Sequence, residues 1–585
     1  MLCLALGCTG TIDGQSGPAP AEPLGGSSFG GTSNPAPGAA GTSLGAGGLP
    51  GSPGGGAAAG GTSAGGTPGN AGAPTNAGAP PTTCTETVAP AGLVLLPDFQ
   101  FATAVRSLLG DAAVSDQAPD ASEKSFTQKG LVVTTSLVDT RLNWAGIAAA
   151  SVGARLLEIT GCTENGDDAC AETFLKSFAP KAFRRPVAAD ELADLLSVYA
   201  VGKATSFRRG IELSVQAILG SPSFGYRTEF GVAAAPGRVT LTPHELASEL
   251  SFFLTDGGPD AELLAAADAN TLSTPAEIRQ QVTRLLQTPR AQTSLTETLM
   301  SAWGIANLFG AQKPNFPEYT PLLQSSMYRE TELFLHDVFW TTQSPVSLAL
   351  TSSKTFVNEP LAKFYGVPYP GASGSTEFLP VTLPATERAG LLTQPSLLAG
   401  RARTDNTSVV ARGLFVRGAL LCLSKIASPP AALAERIQQQ LAADLTERER
   451  SAQRTSDTNC RGCHAQFDAF GLLLENYDPI GRYRTQLNGQ TIDATVDLNG
   501  IGSFTTPFAS AVEFAKAAAA APEFEGCLVQ QMLAYGTGDE RFSQASCEVR
   551  EALQRLPSSE PTLGQIVAEV AASPALLTRS TEVTP

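Results

Sequence analysis

Between Thr9 and Thr83 the chain is written almost wholly in Gly, Ala, Ser, Thr, Pro and Asn, and no Lys or Arg occurs before Arg106. Such a stretch carries too little apolar side chain to offset the entropy lost on ordering it. It reads as a disordered tether over residues 9–83, with an r.m.s. reach of about 50 Å if each residue contributes as in a flexible coil. A folded body is therefore confined to the residues from Cys84 onward. That leaves about 500 residues, enough for several domains of ordinary size.

The formal net charge of -16 argues against a nucleic-acid partner, because phosphate binding needs a clustered excess of Lys and Arg. No apolar run is long enough to span a bilayer, so membrane attachment would have to come from an anchor. The opening MLCLALGCTG supplies one. Its apolar stub ends in Leu4-Ala5-Leu6-Gly7-Cys8, which has the order of a lipobox, although the basic segment that opens a secretory signal is missing. Residues 1–8 are read as a truncated signal with Cys8 as the lipidated residue, and a long polar tether after it is what a surface lipoprotein needs.

Cysteine usage agrees with export. Apart from Cys3, Cys8 and the pair Cys460 and Cys463, six cysteines remain: Cys84, Cys162, Cys170, Cys422, Cys527 and Cys547. An even number in an oxidising compartment suits disulfides. Two local pairings are predicted. Cys162 and Cys170 bracket the turn-rich TENGDDA, and Cys527 and Cys547 flank a helix and a loop; each closure would contribute on the order of 3 kcal/mol. Free buried thiols are the alternative.

The folded part is dominated by helical periodicity. Thr274-Pro275-Ala276-Glu277 has the order of a capping box with Pro at the first helical position, followed by Ile278, Val282, Leu285 and Leu286. Thr242-Pro243-His244-Glu245 repeats it ahead of Leu246, Leu250, Phe253 and Leu254. A third amphipathic run after Pro186 carries Leu192, Leu195, Leu196 and Tyr199 on one stripe. Pro429-Pro430 marks a boundary before a charged helix, AERIQQQLAADLTERERSAQR. Within YRTQLNGQTIDATVDL, Asn488-Gly489 predicts a β hairpin. The fold class is mainly α: a multi-helix globular body with a small β hairpin, behind a disordered tether. Helical segments are expected at 84–170, 171–235, 236–370 and 501–585, with a haem-binding, cytochrome c-like domain at 380–500.

That chemistry rests on CRGCH at 460–464. Two thiols at this spacing can add to the two vinyl groups of a haem while the adjacent His464 imidazole ligates the iron. Covalent attachment keeps a redox cofactor in place outside the cell, the compartment already inferred. A structural zinc site would need a second ligand pair, and no other C-x-x-C occurs. A thioredoxin-like redox pair would call for a βαβ context. The reading is one covalent haem c, with Cys460 and Cys463 as tethers and His464 as the proximal iron ligand.

Other catalytic classes are limited by the three histidines, His244, His336 and His464. None has the flanks of a nucleophile-base site or a metalloprotease helix, and the phosphate-binding Gly-rich loops are missing. His244 and His336 read as surface or packing residues. The sixth iron ligand decides the chemistry: a thioether raises the potential, a second imidazole lowers it, and an open position admits small oxidants. Met532 is favoured because it follows the haem segment and lies in a helix that a Cys527–Cys547 disulfide would pin nearby, with Met327, Met300, His336 and His244 as alternatives.

Several strings resemble a known family. FLKSFAPKAFRRPV, GIELSVQAILGSPSF, LTPHELASELSFFLTDGGPDAELL, TFVNEPLAKFYGV, ERAGLLTQPSLLA with ARGLFVRGALLC, and NCRGCHAQFDAFGLLLENYDPIGRYR resemble, in that order, the multi-domain proteins of unknown function with planctomycete-type cytochrome c modules. The resemblance implies an exported, mainly helical protein with an embedded c-type haem, often lipid-anchored. The chain departs from that pattern at Asp468-Ala469, where relatives have Asp-Pro, and at Gln453, where many carry a His. Tyr535-Gly536-Thr537-Gly538-Asp539 replaces a Tyr-x-x-Gly-Arg.

The expected function is electron transfer at the cell surface or in the periplasm, with a redox protein as partner. The segment Glu475 to Arg484, with Asp478, Arg482 and Arg484, is expected to fix the haem pocket or its propionates. Two alternatives stand beside it. One is a haem-dependent oxidoreductase, such as an oxidase or peroxidase, or a component of an extracellular polymer-degrading system with polysaccharide as a candidate partner; the other is a non-redox binding or scaffold lipoprotein.

Overall fold

The computed structural model describes residues 88–111, 133–426, 445–456, 458–557 and 559–582. The lipobox with Cys8, the tether, Cys84, Pro429-Pro430 and the first part of the charged helix lie outside them.

The first helices pack around their own core. Asp98–Leu109, Thr135–Ala154, Asp168–Phe183, Ala189–Lys203 and Phe207–Leu219 bury Phe101, Ala145, Val152, Leu175, Ile211, Val215 and Ile218 against one another. The stripe read after Pro186 lies on Ala189–Lys203, where Leu195 and Tyr199 are buried. Asp167 caps Asp168–Phe183 by accepting from Cys170 N at 2.9 Å, and Cys170 is joined to Cys162 in a disulfide across the preceding turn. A two-stranded antiparallel sheet closes this region, Gly92–Leu95 against Tyr226–Glu229, with Gly92 opposite Glu229 and Leu95 opposite Tyr226.

Both expected capping boxes are formed. Thr242 Oγ1 accepts from Glu245 N at 3.3 Å while Glu245 Oε2 accepts from Thr242 N at 2.9 Å, opening Pro243–Thr255. The same exchange between Thr274 and Glu277 opens Pro275–Leu285. Each satisfies amide donors that a helix start otherwise leaves bare. From here to the C-terminus one continuous core runs through the chain. Leu250, Leu299, Trp303, Phe334, Leu391, Phe470, Met532 and Ile566 all belong to it.

The strands are short. Arg238–Thr240 lies between Val232–Ala235 and Thr578–Ser580 in an antiparallel sheet, so the end of the described chain pairs with its middle. The Asn488-Gly489 hairpin pairs Gln486 with Thr491 and Leu487 with Gln490, and both turn residues have positive φ, 52° and 78°. That is the conformation a two-residue primed turn demands.

One local expectation needs correcting. Cys527 is joined to Cys422, 105 residues away, and not to Cys547, which is in a different disulfide. The face of Pro522–Thr537 that carries Cys527 rests on the chain around Ala419: Cys527 Sγ lies 3.4 Å from Ala419 O, and Gln531, one turn on, donates to the same carbonyl at 2.7 Å. Contact across the core, not proximity in sequence, selects the partner. Among the described residues no helix is long and apolar enough to cross a membrane.

Candidate functional site

CRGCH lies on the helix Thr458–His464, which packs against Glu447–Ser456 and is followed by Asp468–Leu472. Cys460 is buried and Cys463 half-buried, and both stand as thiols while Cys162, Cys170, Cys422, Cys527 and Cys547 are oxidised. His464 is buried beside Phe467, with ring centroids 4.9 Å apart. The small apolar cluster here comprises Val410 and Phe467, flanked by Leu414, Ile426 and Cys463.

The imidazole is held by charge. His464 Nδ1 lies 2.9 Å from Asp468 Oδ1, one helical turn on. Asp468 Oδ2 accepts from Arg454 Nε at 3.1 Å and Nη2 at 3.0 Å. The side chains of Arg454 and Asp468 are 0% and 2% exposed, so this pair is sealed from water. Glu447 stands 4.0 Å from Arg454 and forms an ion pair with Arg450 at 3.0 Å.

Among the described residues, Arg454 Nη1, Arg403 Nη2 and Arg412 Nε are buried guanidinium donors without an acceptor, and others of the kind occur elsewhere in the protein. Arg403 lies within electrostatic reach of Arg454, Arg450 and Glu447, and burial holds its pKa below the ordinary value. Its loop is pinned by Lys313, whose ammonium donates to Ala402 O at 2.8 Å. Buried donors in proteins are ordinarily satisfied, and each left bare costs about 1–3 kcal/mol.

A glycine crossing sets the floor of the site. Val409–Phe415 packs on Asp468–Leu472 so closely that a Cβ on Gly413 would come within 2.0 Å of Phe467 O, and one on Gly471 within 1.9 Å of Val409 O. Arg412, fully buried, locks the crossing by donating to Leu474 O, Tyr477 O and Asp478 O, each at 2.8 Å.

The remaining sequence-derived residues fall elsewhere. Met532 and Met300 are buried in the main core and Met327 in a separate cluster with Leu323 and Leu361, and none of them belongs to the cluster of Val410 and Phe467. His244 pairs with Asp268 at 2.9 Å, and His336 Nδ1 sits 3.4 Å from Thr341 Oγ1. Gln453 is exposed, whereas Glu447, Ser451 and Arg454 form the buried face of its helix. The segment from Glu475 serves as scaffold: Asp478 Oδ1 accepts from Ile480 N and Arg482 N, Arg482 pairs with Glu318, and Arg484 lies 3.8 Å from Glu475. The sequence marks Asp468 only as part of the Asp468-Ala469 departure and gives Arg454 no role. His464-x-x-x-Asp468 is a readable one-turn spacing, but Arg454 arrives from the preceding helix and carries no local signal.

Four family models match, each described as a protein of unknown function: DUF1595 over residues 170–229, DUF1592 over 241–367, DUF1588 over 388–487 and DUF1585 over 505–576. The site lies wholly within the third. No curated protein and no solved structure matches the chain. These four families are typical of planctomycete cytochrome c-type multi-domain proteins of unknown function, and they point to a cytochrome-like protein.

Proposed function

We propose that the protein is an exported c-type haem protein that carries electrons at the cell surface or in the periplasm, tethered to the membrane by lipid on Cys8. The observation that carries this reading is the buried His464, on the helix that also presents two thiols, with its Nδ1 engaged by Asp468 from the start of the next helix. With hydrogen on Nδ1, the lone pair lies on Nε2, the nitrogen through which the ring would ligate iron. Cys460 and Cys463 would hold the macrocycle through thioether bonds.

The orphaned donors fit the same group. Haem carries two propionate carboxylates, acceptors of the kind that guanidinium forks match; Arg454 Nη1 is a buried donor on the helix before the motif, and Arg403 Nη2 is a buried donor within electrostatic reach of Arg454. When bound, haem would supply a one-electron couple. This chain's residues would orient the imidazole, exclude water through Phe467 and Val410, and neutralise the propionates.

A haem-dependent oxidoreductase is the second reading. It is favoured by the absence of a methionine from the described cluster around His464, because an open sixth position admits small oxidants. Reduced-minus-oxidised spectra of the protein, expressed with c-type maturation machinery, separate the two. A low-spin six-coordinate spectrum insensitive to cyanide is expected for the electron carrier. A high-spin spectrum with rapid cyanide binding would replace it by the oxidoreductase.

A further inference from the structure

Metal-bound imidazoles commonly donate their second N–H to a backbone carbonyl, a water or a carboxylate. A carboxylate partner differs from the others in carrying charge. At 2.9 Å from Nδ1 and shielded from water, the Asp468 carboxylate draws the ring proton toward itself and leaves Nε2 more electron-rich. A more basic ligand favours the oxidised, more positive iron. Arg454 acts in the opposite sense. Its Nε and Nη2 share the other carboxylate oxygen and withdraw part of the negative charge that Asp468 directs at the ring.

We infer that Asp468 and Arg454 form a charge relay that sets the reduction potential of the iron bound by His464, Asp468 as the positioning residue that lowers it and Arg454 as the counterweight that raises it. The inference rests on the haem reading, and neither residue touches iron. It explains why a carboxylate, a guanidinium and an imidazole are buried in series. Burying a charged pair where an apolar contact would serve brings little stability by itself.

The relay makes the two substitutions opposite in sign. Asp468→Asn keeps the size and the hydrogen-bond acceptor but drops the charge; Arg454→Gln keeps a donor and frees the carboxylate. Midpoint potentials are measured by spectroelectrochemical titration of the haem-loaded full chain at fixed pH and ionic strength, between dithionite and ferricyanide with mediators. The expected result is a rise for Asp468→Asn, a fall for Arg454→Gln, and values near wild type for Asp468→Glu and Arg454→Lys. Loosened packing would admit water to the haem and lower the potential in both, so a fall in Asp468→Asn overturns the relay, as does no change.

A second readout needs no iron. In the haem-free protein, nitrogen NMR of His464 is expected to show the Nδ1-protonated tautomer, with that preference weakened in Asp468→Asn. An equal mixture in the wild type would contradict the relay. A wild-type protein that takes up no haem when matured would refute the haem reading itself, an outcome distinct from a haem protein whose potential ignores Asp468.

Discussion

Glu330 is a carboxyl group with no solvent to stabilise its charge. Thr355 Oγ1 and Tyr365 OH both donate to its Oε1 at 2.7 Å, Oε2 has no partner, and burial pushes its pKa up to about 7 from 4.5. A folded-state pKa above the unfolded one means that folding takes up a proton. The stability this group contributes is full below pH 4.5 and is lost as pH rises through about 7, on the order of 3 kcal/mol in all. Glu330→Gln is expected to be near neutral at pH 5 and stabilising at pH 8, and urea midpoints across that range would measure it. An unchanged slope would show that Glu330 ionises in place without penalty. None of this was readable from sequence, since an acid on an amphipathic helix looks like any other surface acid until its face is known. Asp468 stood closer to legibility, because its spacing from His464 is one turn. The CRGCH cysteines and histidine were legible outright, because the porphyrin dictates their order.

At the scale of elements, helix starts and the hairpin were legible because their signals are local: a capping box or an Asn-Gly turn occupies a few consecutive residues. Crossings are not. The contact of Val409–Phe415 with Asp468–Leu472 depends on glycines 58 positions apart, with Cβ clearances of 2.0 and 1.9 Å from backbone oxygens. Gly413→Ala must push these helices apart, at a cost of about 1–3 kcal/mol. A lower melting temperature together with reduced haem content is expected, since the shift falls on the turn between His464 and Asp468. Full haem content with the lower melting temperature would uncouple the crossing from the site. The Cys422–Cys527 bond was equally hidden, since short spacing favoured Cys547. It closes a loop that contains Arg454, the CRGCH motif and Asp468, and in the chain-entropy model Cys422→Ala with Cys527→Ala is expected to lose about 4–5 kcal/mol, measured by guanidinium unfolding. A loss below about 1 kcal/mol would mean the unfolded state is already restrained there.

The whole described body is closed by charge. Arg579 in the last strand meets Glu229 at 2.5 Å and Glu249 at 3.5 Å, and Arg227 meets both glutamates at 3.2 Å, all four buried. Burial raises the pKa of Glu249, while the two arginines hold that of Glu229 down. Removing one partner leaves a charge uncompensated, so Arg579→Met is expected to cost about 3–5 kcal/mol. Because the core from Leu241 to Leu576 is continuous, that loss should appear as one cooperative transition in calorimetry. Two separated transitions would mean that the first helices, with their own core, melt apart from the rest. Mainly helical architecture was legible from periodicity, but this closure joins residues 350 apart and leaves no pattern in the text.

The central claim is the covalent haem on Cys460 and Cys463, and the denatured pyridine haemochrome of the chain from Cys84 onward, matured in an exporting host, tests it most directly. A c-type α band is expected, with one haem per chain, lost when Cys460→Ala and Cys463→Ala are combined. A folded, colourless protein, or a band that survives in the double variant, would contradict it.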